Sequence, residues 1–145
     1  MALSDRIALL KDGALEQVAS PRVIYAHPAT CYTAQFIGQT NLLRADVRNG
    51  MASCGSLHWP VSTPDGLTVF SLRPEMIRLA SETLSASGIV RFRARIQQQT
   101  FAGSSEQLEV DCAGQPLRVR LSARGPLSGE HDFVFDPADA IPVRD

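Results

Sequence analysis

From Asn41 onward, apolar and polar residues alternate with a period of two, and Gly, Asn, Asp, Ser or Pro interrupts the alternation roughly every ten positions. Successive side chains of a strand point to opposite faces, so this pattern buries one face of many short strands and wets the other. A chain patterned this way is mainly β and folds as a small sandwich or barrel. Residues 42–48 read as a strand, Asn49-Gly50 as a tight hairpin turn, and residues 51–61 as a single weaker returning arm. Residues 67–72 are apolar on both faces, which predicts a central strand, and Arg73-Pro74 ends it because proline removes an amide donor. A serine-rich linker, 81–87, precedes arms at 89–97, 107–112, 117–121 and 131–135.

Along these last arms Arg91, Arg93 and Arg95 share an outward face, as do Glu109 and Asp111, and Arg118 and Arg120. A three-arm meander predicts a ladder with the two carboxylates set between the two arginine groups. The competing reading is a surface for single-stranded nucleic acid. It is disfavoured because those faces carry no Phe, Tyr or Trp on which bases could stack.

Before Asn41 the periodicity differs. Residues 6–18 read as a hairpin turning at Asp12-Gly13. Ser20-Pro21 supplies an N-cap and a first-turn proline for a short helix through Val23, Ile24 and Tyr25 that Pro28 stops. A second helix is predicted over 29–37, with Ala29, Tyr32 and Phe36 on one face and Gly38 as a left-handed cap. A domain boundary is expected at 38–40.

The chain has 145 residues, 44% hydrophobic and 20% charged, which excludes disorder and suffices for a core. No apolar run is long enough to cross a membrane as a helix, and the start lacks a leader pattern, which predicts a soluble, unexported chain. Fourteen Lys+Arg against fifteen Asp+Glu leave no global field for nucleic acid or an anionic membrane. Cys31, Cys54 and Cys112 form no CxxC pair and read as buried, inert thiols in a reducing compartment. His27, His58 and His131 have no partners at catalytic or metal-ligand spacing. The sole lysine, Lys11, lies between Leu10 and Asp12, so there is no Gly-Lys-Ser/Thr to cradle a nucleotide phosphate.

Residues 3–13, with Glu16-Gln17, Pro21, Ile24-Tyr25, Pro28, Phe36-Ile37-Gly38 and Thr40-Asn41-Leu42-Leu43, closely resemble the final part of the ATP-binding subunits of ABC importers. Arg73-Pro74-Glu75 and Phe101-Ala102-Gly103-Ser104 continue the match. It is nearest to the polyamine, ferric-iron and maltose importer group, whose ATPase domain is followed by a regulatory transport-associated OB (TOBE) domain. The resemblance implies a β-hairpin and two short helices at 1–40, residual to the ATPase domain, and an OB-like small β-barrel at 41–145. It also implies that Walker A, Walker B, the signature and the switch histidine of such a subunit lie upstream of this stretch. Catalytic residues, cofactors and metals are therefore expected to be none here, with ATP and Mg belonging to the full-length parent.

The implied role is non-catalytic regulation and homodimerisation, with the ATPase domain and the importer permeases as partners. The implied place is the cytoplasm, peripheral on the inner face of the cell membrane. Arg73, Glu75, Ser104 and Ser105 are the candidate contacts for a regulator or small solute. Two alternatives stand beside this reading: an oxyanion sensor using Ser104, Ser105 and the Gly103 turn amides, and an OB-type nucleic-acid module, which the fold permits without granting.

Overall fold

The computed structural model describes residues 5–82 and 88–145, so most of the serine-rich linker and the first four residues lie outside the described set. An N-terminal hairpin, β1 (Ile7–Lys11) and β2 (Ala14–Ala19), turns at Asp12 and Gly13, whose φ angles are 51° and 80°. That is the left-handed turn geometry that Asp-Gly tolerates. Helix α1 (Pro21–Ala26) follows, with Ser20 accepting from the Val23 amide. Helix α2 (Cys31–Ile37) begins two residues later than predicted because the Thr30 hydroxyl, accepting from the Thr33 amide at 3.1 Å, is the cap.

Gly38 does not end α2 in the left-handed region; its φ of 177° is extended. Closeness favours glycine there instead, since a Cβ would stand 3.3 Å from the Tyr25 ring and the ring would have to give by a few tenths of an ångström.

The remainder forms two five-stranded antiparallel sheets around one core. One sheet contains β3 (Asn41–Arg48), β4 (Met51–Cys54), β5 (Leu57–Pro60), β6 (Gly66–Leu72) and β12 (Ile141–Val143), in the order β12-β6-β3-β4-β5. The second contains β7 (Arg78–Leu79), β8 (Val90–Phe101), β9 (Ser105–Cys112), β10 (Gln115–Ser122) and β11 (Glu130–Phe135), in the order β10-β9-β8-β11-β7. The architecture is mainly β and OB-like. Trp59, Phe70, Phe133 and Phe135 fill its centre, with Trp59 edge-on to Phe70 at 5.3 Å between ring centroids.

Further expectations meet the structure differently. The single arm at 51–61 is two strands, because Gly55 at φ 59° turns the chain back within it. Residues 67–72 form the interior strand expected, buried on both faces from Val69 to Leu72, with only Leu67 at its start 90% exposed. Strand β12 was invisible because three residues containing a proline carry no periodicity.

The charge ladder is also rearranged. Arg91 meets Asp132 at 2.8 Å, Arg93 meets both Glu130 and Asp132 at 3.1 Å, and Arg95 reaches Glu130 at 3.4 Å. Strand β9 pairs with β8 only from Arg95 onward, and a bulge sets Glu109 opposite Gln98. Arg91 and Arg93 therefore look to β11 on their other flank, while among the described residues Glu109 pairs with Arg118 alone, at 4.0 Å.

The second sheet curls until its edge strands β10 and β7 approach without hydrogen-bonding. Asn41, at the start of β3, grips the open edge of β10: its amide donates to the Arg118 carbonyl at 2.9 Å and its carbonyl accepts from the Arg118 amide at 2.8 Å. A side-chain amide thus replaces a missing strand and ties the sheets together. Asn41→Ala leaves both backbone groups unpaired in a place only 7% exposed at Asn41. It should lower unfolding free energy by about 1–3 kcal/mol in urea titration.

Candidate functional site at the open seam

Where β6 ends, Arg73 adopts extended backbone and Pro74 opens a 3-10 turn, Pro74–Met76, which carries the chain out of the sheet. The Arg73 side chain is thereby turned toward the ends of the two helices and is only 5% exposed. Its Nη1 donates to the carbonyls of Ala34 (2.8 Å), Gln39 (3.0 Å) and Gly38 (3.2 Å). Its Nε and Nη2 donate to the Tyr25 carbonyl at 3.3 and 3.1 Å. Helices end with carbonyls that lack intrahelical partners, and a cation there is electrostatically favoured.

The planar fork of arginine spans both helix ends at once, which a lysine ammonium does not. The guanidinium also lies over the Tyr25 ring, 4.3 Å from its centroid. Burial draws the Arg73 pKa below the ordinary arginine value, opposed by Tyr25 and Glu75.

The Tyr25 hydroxyl donates to Glu75 Oε2. Burial first, then Glu75, pushes the phenol pKa up to about 12. Glu75 Oε1 is buried, makes no hydrogen bond, and stands 3.8 Å from Arg120 Nη1. Arg120 also donates from Nη2 to Gln39 Oε1 at 3.4 Å.

Glu75 and Arg120 line a cleft of about 350 Å³ with Arg78, Arg124, Ser104, Ser105, Ser122 and Leu121. The cleft is the open seam between β7 and β10, roofed by the β8–β9 turn. That turn is fixed by Gly103 at φ 78°, by the Ala102 amide donating to the Ser105 carbonyl at 2.8 Å, and by the Ala123 amide donating to the Ser104 carbonyl at 3.0 Å.

Of the four residues singled out from sequence, the structure brings Glu75, Ser104 and Ser105 into the cleft and places Arg73 behind it, sealed in the helix junction. Arg78, Arg120, Arg124 and Ser122 also line it and were not singled out. Arg120 had been assigned to the ladder, and no local signal distinguishes an arginine at a sheet edge from one in mid-sheet. All three cysteines are buried, free thiols, and burial pushes Cys31 and Cys54 up from the usual thiol value. His58 Nδ1 lies 3.0 Å from the Ser53 hydroxyl, and His131 Nε2 lies 2.9 Å from the Ser128 carbonyl. Among the described residues, no three His, Cys, Asp or Glu side chains cluster as a metal site.

Residues 70–141, from β6 into β12, match the family model described as the TOBE domain. The spermidine/putrescine import ATP-binding protein PotA of Pseudomonas aeruginosa strain UCBPP-PA14 is 36% identical over 153 aligned positions, taking in 97% of this chain and 41% of that protein. The sn-glycerol-3-phosphate import ATP-binding protein UgpC of Rhizobium meliloti is 35% identical over 130 positions, 88% of this chain and 36% of that protein. The glucose import ATP-binding protein GlcV of Saccharolobus solfataricus is 27% identical over 144 positions, 98% of this chain and 41% of that protein. The chain spans about two-fifths of the length of the relatives it matches.

Removing the buried fork strands four carbonyls, so Arg73→Ala should cost on the order of 3 kcal/mol in urea unfolding, with Arg73→Lys recovering only part. Tyr25 holds its proton more tightly when folded, with a pKa near 12 against an ordinary 10.0. Its contribution is therefore complete below pH 10 and lost as pH rises toward 12. Thermal midpoints measured across that alkaline window should fall in the parent chain and fall less steeply in Tyr25→Phe.

Proposed function

We propose that this chain, which belongs to the TOBE-bearing family of ABC importer ATP-binding subunits, supplies the non-catalytic regulatory part of such a subunit. The similarity itself carries the reading. It runs through 97% and 98% of the chain in relatives named for import of spermidine/putrescine and of glucose. A stretch shared by subunits that serve such different solutes does not encode the choice of solute. Regulation, assembly or both remain as its contribution. ATP and Mg then belong to the rest of the subunit, in keeping with a single lysine set between Leu10 and Asp12.

The division of labour follows the exposed apolar side chains. Leu10 and Leu15 are 61% exposed and Phe36 is 63% exposed, while the barrel core is closed. Residues 1–40 are the docking segment, which packs against the remainder of the subunit, and residues 41–145 are the regulatory barrel. The working place is the cytoplasmic face of the membrane beside the permeases; no described helix is long and apolar enough to cross it. The isolated chain covers the same apolar surface by pairing with a second copy. The nucleic-acid reading is weakened by Glu130 and Asp132, which engage the outward arginines of β8.

Sedimentation should therefore show concentration-dependent dimers of the chain and mostly monomers of a Leu15→Glu/Phe36→Glu variant, with matching circular dichroism. A chain that stays monomeric at high concentration removes dimerisation. Calorimetry with Mg-ATP should register no binding, and tight binding would overturn the non-catalytic reading.

A further inference from the structure

We propose that Cys54 and Cys112 form a reversible modification site, at which a low-molecular-mass disulfide such as oxidised glutathione joins the two sheets through a bond between their sulfurs. Each thiol closes a strand just before an exposed turn. Cys54 ends β4 at the Gly55-Ser56 turn, and Cys112 ends β9 at the Ala113-Gly114 turn. The two turns meet although they belong to different sheets. The Cys54 thiol donates to Gln115 Oε1 at 3.4 Å, and Gln115 is the cross-strand partner of Cys112. The Cys112 sulfur in turn lies 3.5 Å from the hydroxyl of Ser56, two residues after Cys54. Each sulfur therefore touches a residue that flanks the other, and the crossed contacts bring the two thiols together within one core cluster.

Burial alone makes a thiol inert. Cys54, however, also lines an open cleft of about 930 Å³, beside Arg44, Gly55, Leu67 and Asp145. Cys112 lies behind it, under Ser56. Burial, and next the neighbouring Cys112, push the Cys54 thiol up from the usual value, while the Arg44 backbone amide favours its thiolate. Exchange at neutral pH is therefore slow and needs an oxidant in excess. Cys31 takes no part, since it packs in a separate cluster with Val69 and Val143.

Access sets the order of the two steps. The Cys54 thiolate attacks one sulfur of oxidised glutathione, and one reduced glutathione leaves with the proton that Cys54 gives up. The Cys112 thiolate then attacks the Cys54 sulfur of this mixed disulfide, and the second glutathione leaves with the Cys112 proton. Two protein thiols are oxidised, and one disulfide is reduced to two thiols. The new bond pins the β4–β5 turn to the β9–β10 turn and closes the long loop between them, which restricts the unfolded chain. In the cytoplasm, where the function proposed above sets the chain, such a bond is transient and reports oxidant. Its formation does not rest on that reading.

The test is incubation of the folded whole chain with millimolar oxidised glutathione, followed by alkylation, intact mass and peptide mapping. The expected product has lost two hydrogens, carries one cross-link between the Cys54 and Cys112 peptides, leaves Cys31 as a thiol, and reverts in dithiothreitol. It should also melt several degrees higher than the reduced chain. Cys112→Ala should instead accumulate one glutathione on Cys54, whereas Cys54→Ala should slow modification of Cys112 about tenfold. Mapping of the unsubstituted chain decides the bond whether or not either variant folds. A chain that stays reduced, an adduct that persists on Cys54 of the unsubstituted chain, or a bridge to Cys31 overturns the site. So does equal modification of all three thiols, which unfolding would produce. None of these outcomes bears on the regulatory reading, which is decided by self-association and Mg-ATP.

Discussion

The docking of the two helices before Asn41 is centred on one buried guanidinium. Helices of six and seven residues are too short to persist alone, and the hairpin ahead of them is no more stable by itself. Arg73 draws the carbonyl ends of both helices to a single point on the barrel. Other ties then close around it. Gln17 bonds the His27 carbonyl and the Ala29 amide, Glu16 accepts from the Thr30 hydroxyl, and the Arg144 backbone joins Ala29 and Cys31. Without the arginine, the segment keeps the Arg144 backbone and the Tyr25–Glu75 contact as ties to the barrel, but the carbonyl ends of its two helices lose their shared donor.

The second governing constraint is the curl of the β7–β11 sheet. A curled sheet that fails to close leaves two edges, each a row of unpaired backbone groups. One edge here is a strand of only two residues, and the other is capped at Arg118 by Asn41. What is left of the seam is covered by charge, with Arg78, Arg120 and Arg124 gathered on the two edges and the turn beyond. The seam lies directly beside the Arg73 junction, because the Pro74–Met76 turn that frees Arg73 also carries Glu75.

Much of this was legible in the sequence where the physics is local. Asp12-Gly13 and Asn49-Gly50 both turn at positive φ, as those residue pairs allow. Ser20-Pro21 opens α1, and the alternation at 91–96 buries Phe92 and Ala94 while exposing the arginines between them. Arg73-Pro74-Glu75 stood out through its family resemblance, and the candidate list built on it already held Glu75, Ser104 and Ser105, three residues of the cleft. Arg78, Arg120 and Ser122 did not stand out, since nothing within a few residues of each marks it as a neighbour of the others.

What the sequence determined by itself, then, was the type of most elements and the buried face of the long barrel strands, because alternation, caps and turn residues act over a few positions; it did not reach β12, nor α2, where Cys31, Thr33 and Ala34 are buried and Phe36 is exposed. What only the tertiary structure decided was adjacency. Strand β11 lies on the edge of β8 opposite β9 and takes its arginines because β9, ending at Cys112, pairs with β8 only from Arg95 onward and leaves Arg91 and Arg93 without a β9 neighbour, a matter of register summed over the whole sheet. Arg73 acquires its carbonyls and Arg120 its place at the seam in the same way. Residues thirty-four to eighty-one positions apart meet only once the sheet has curled and the helices have docked, and no short-range pattern in a chain encodes that distance.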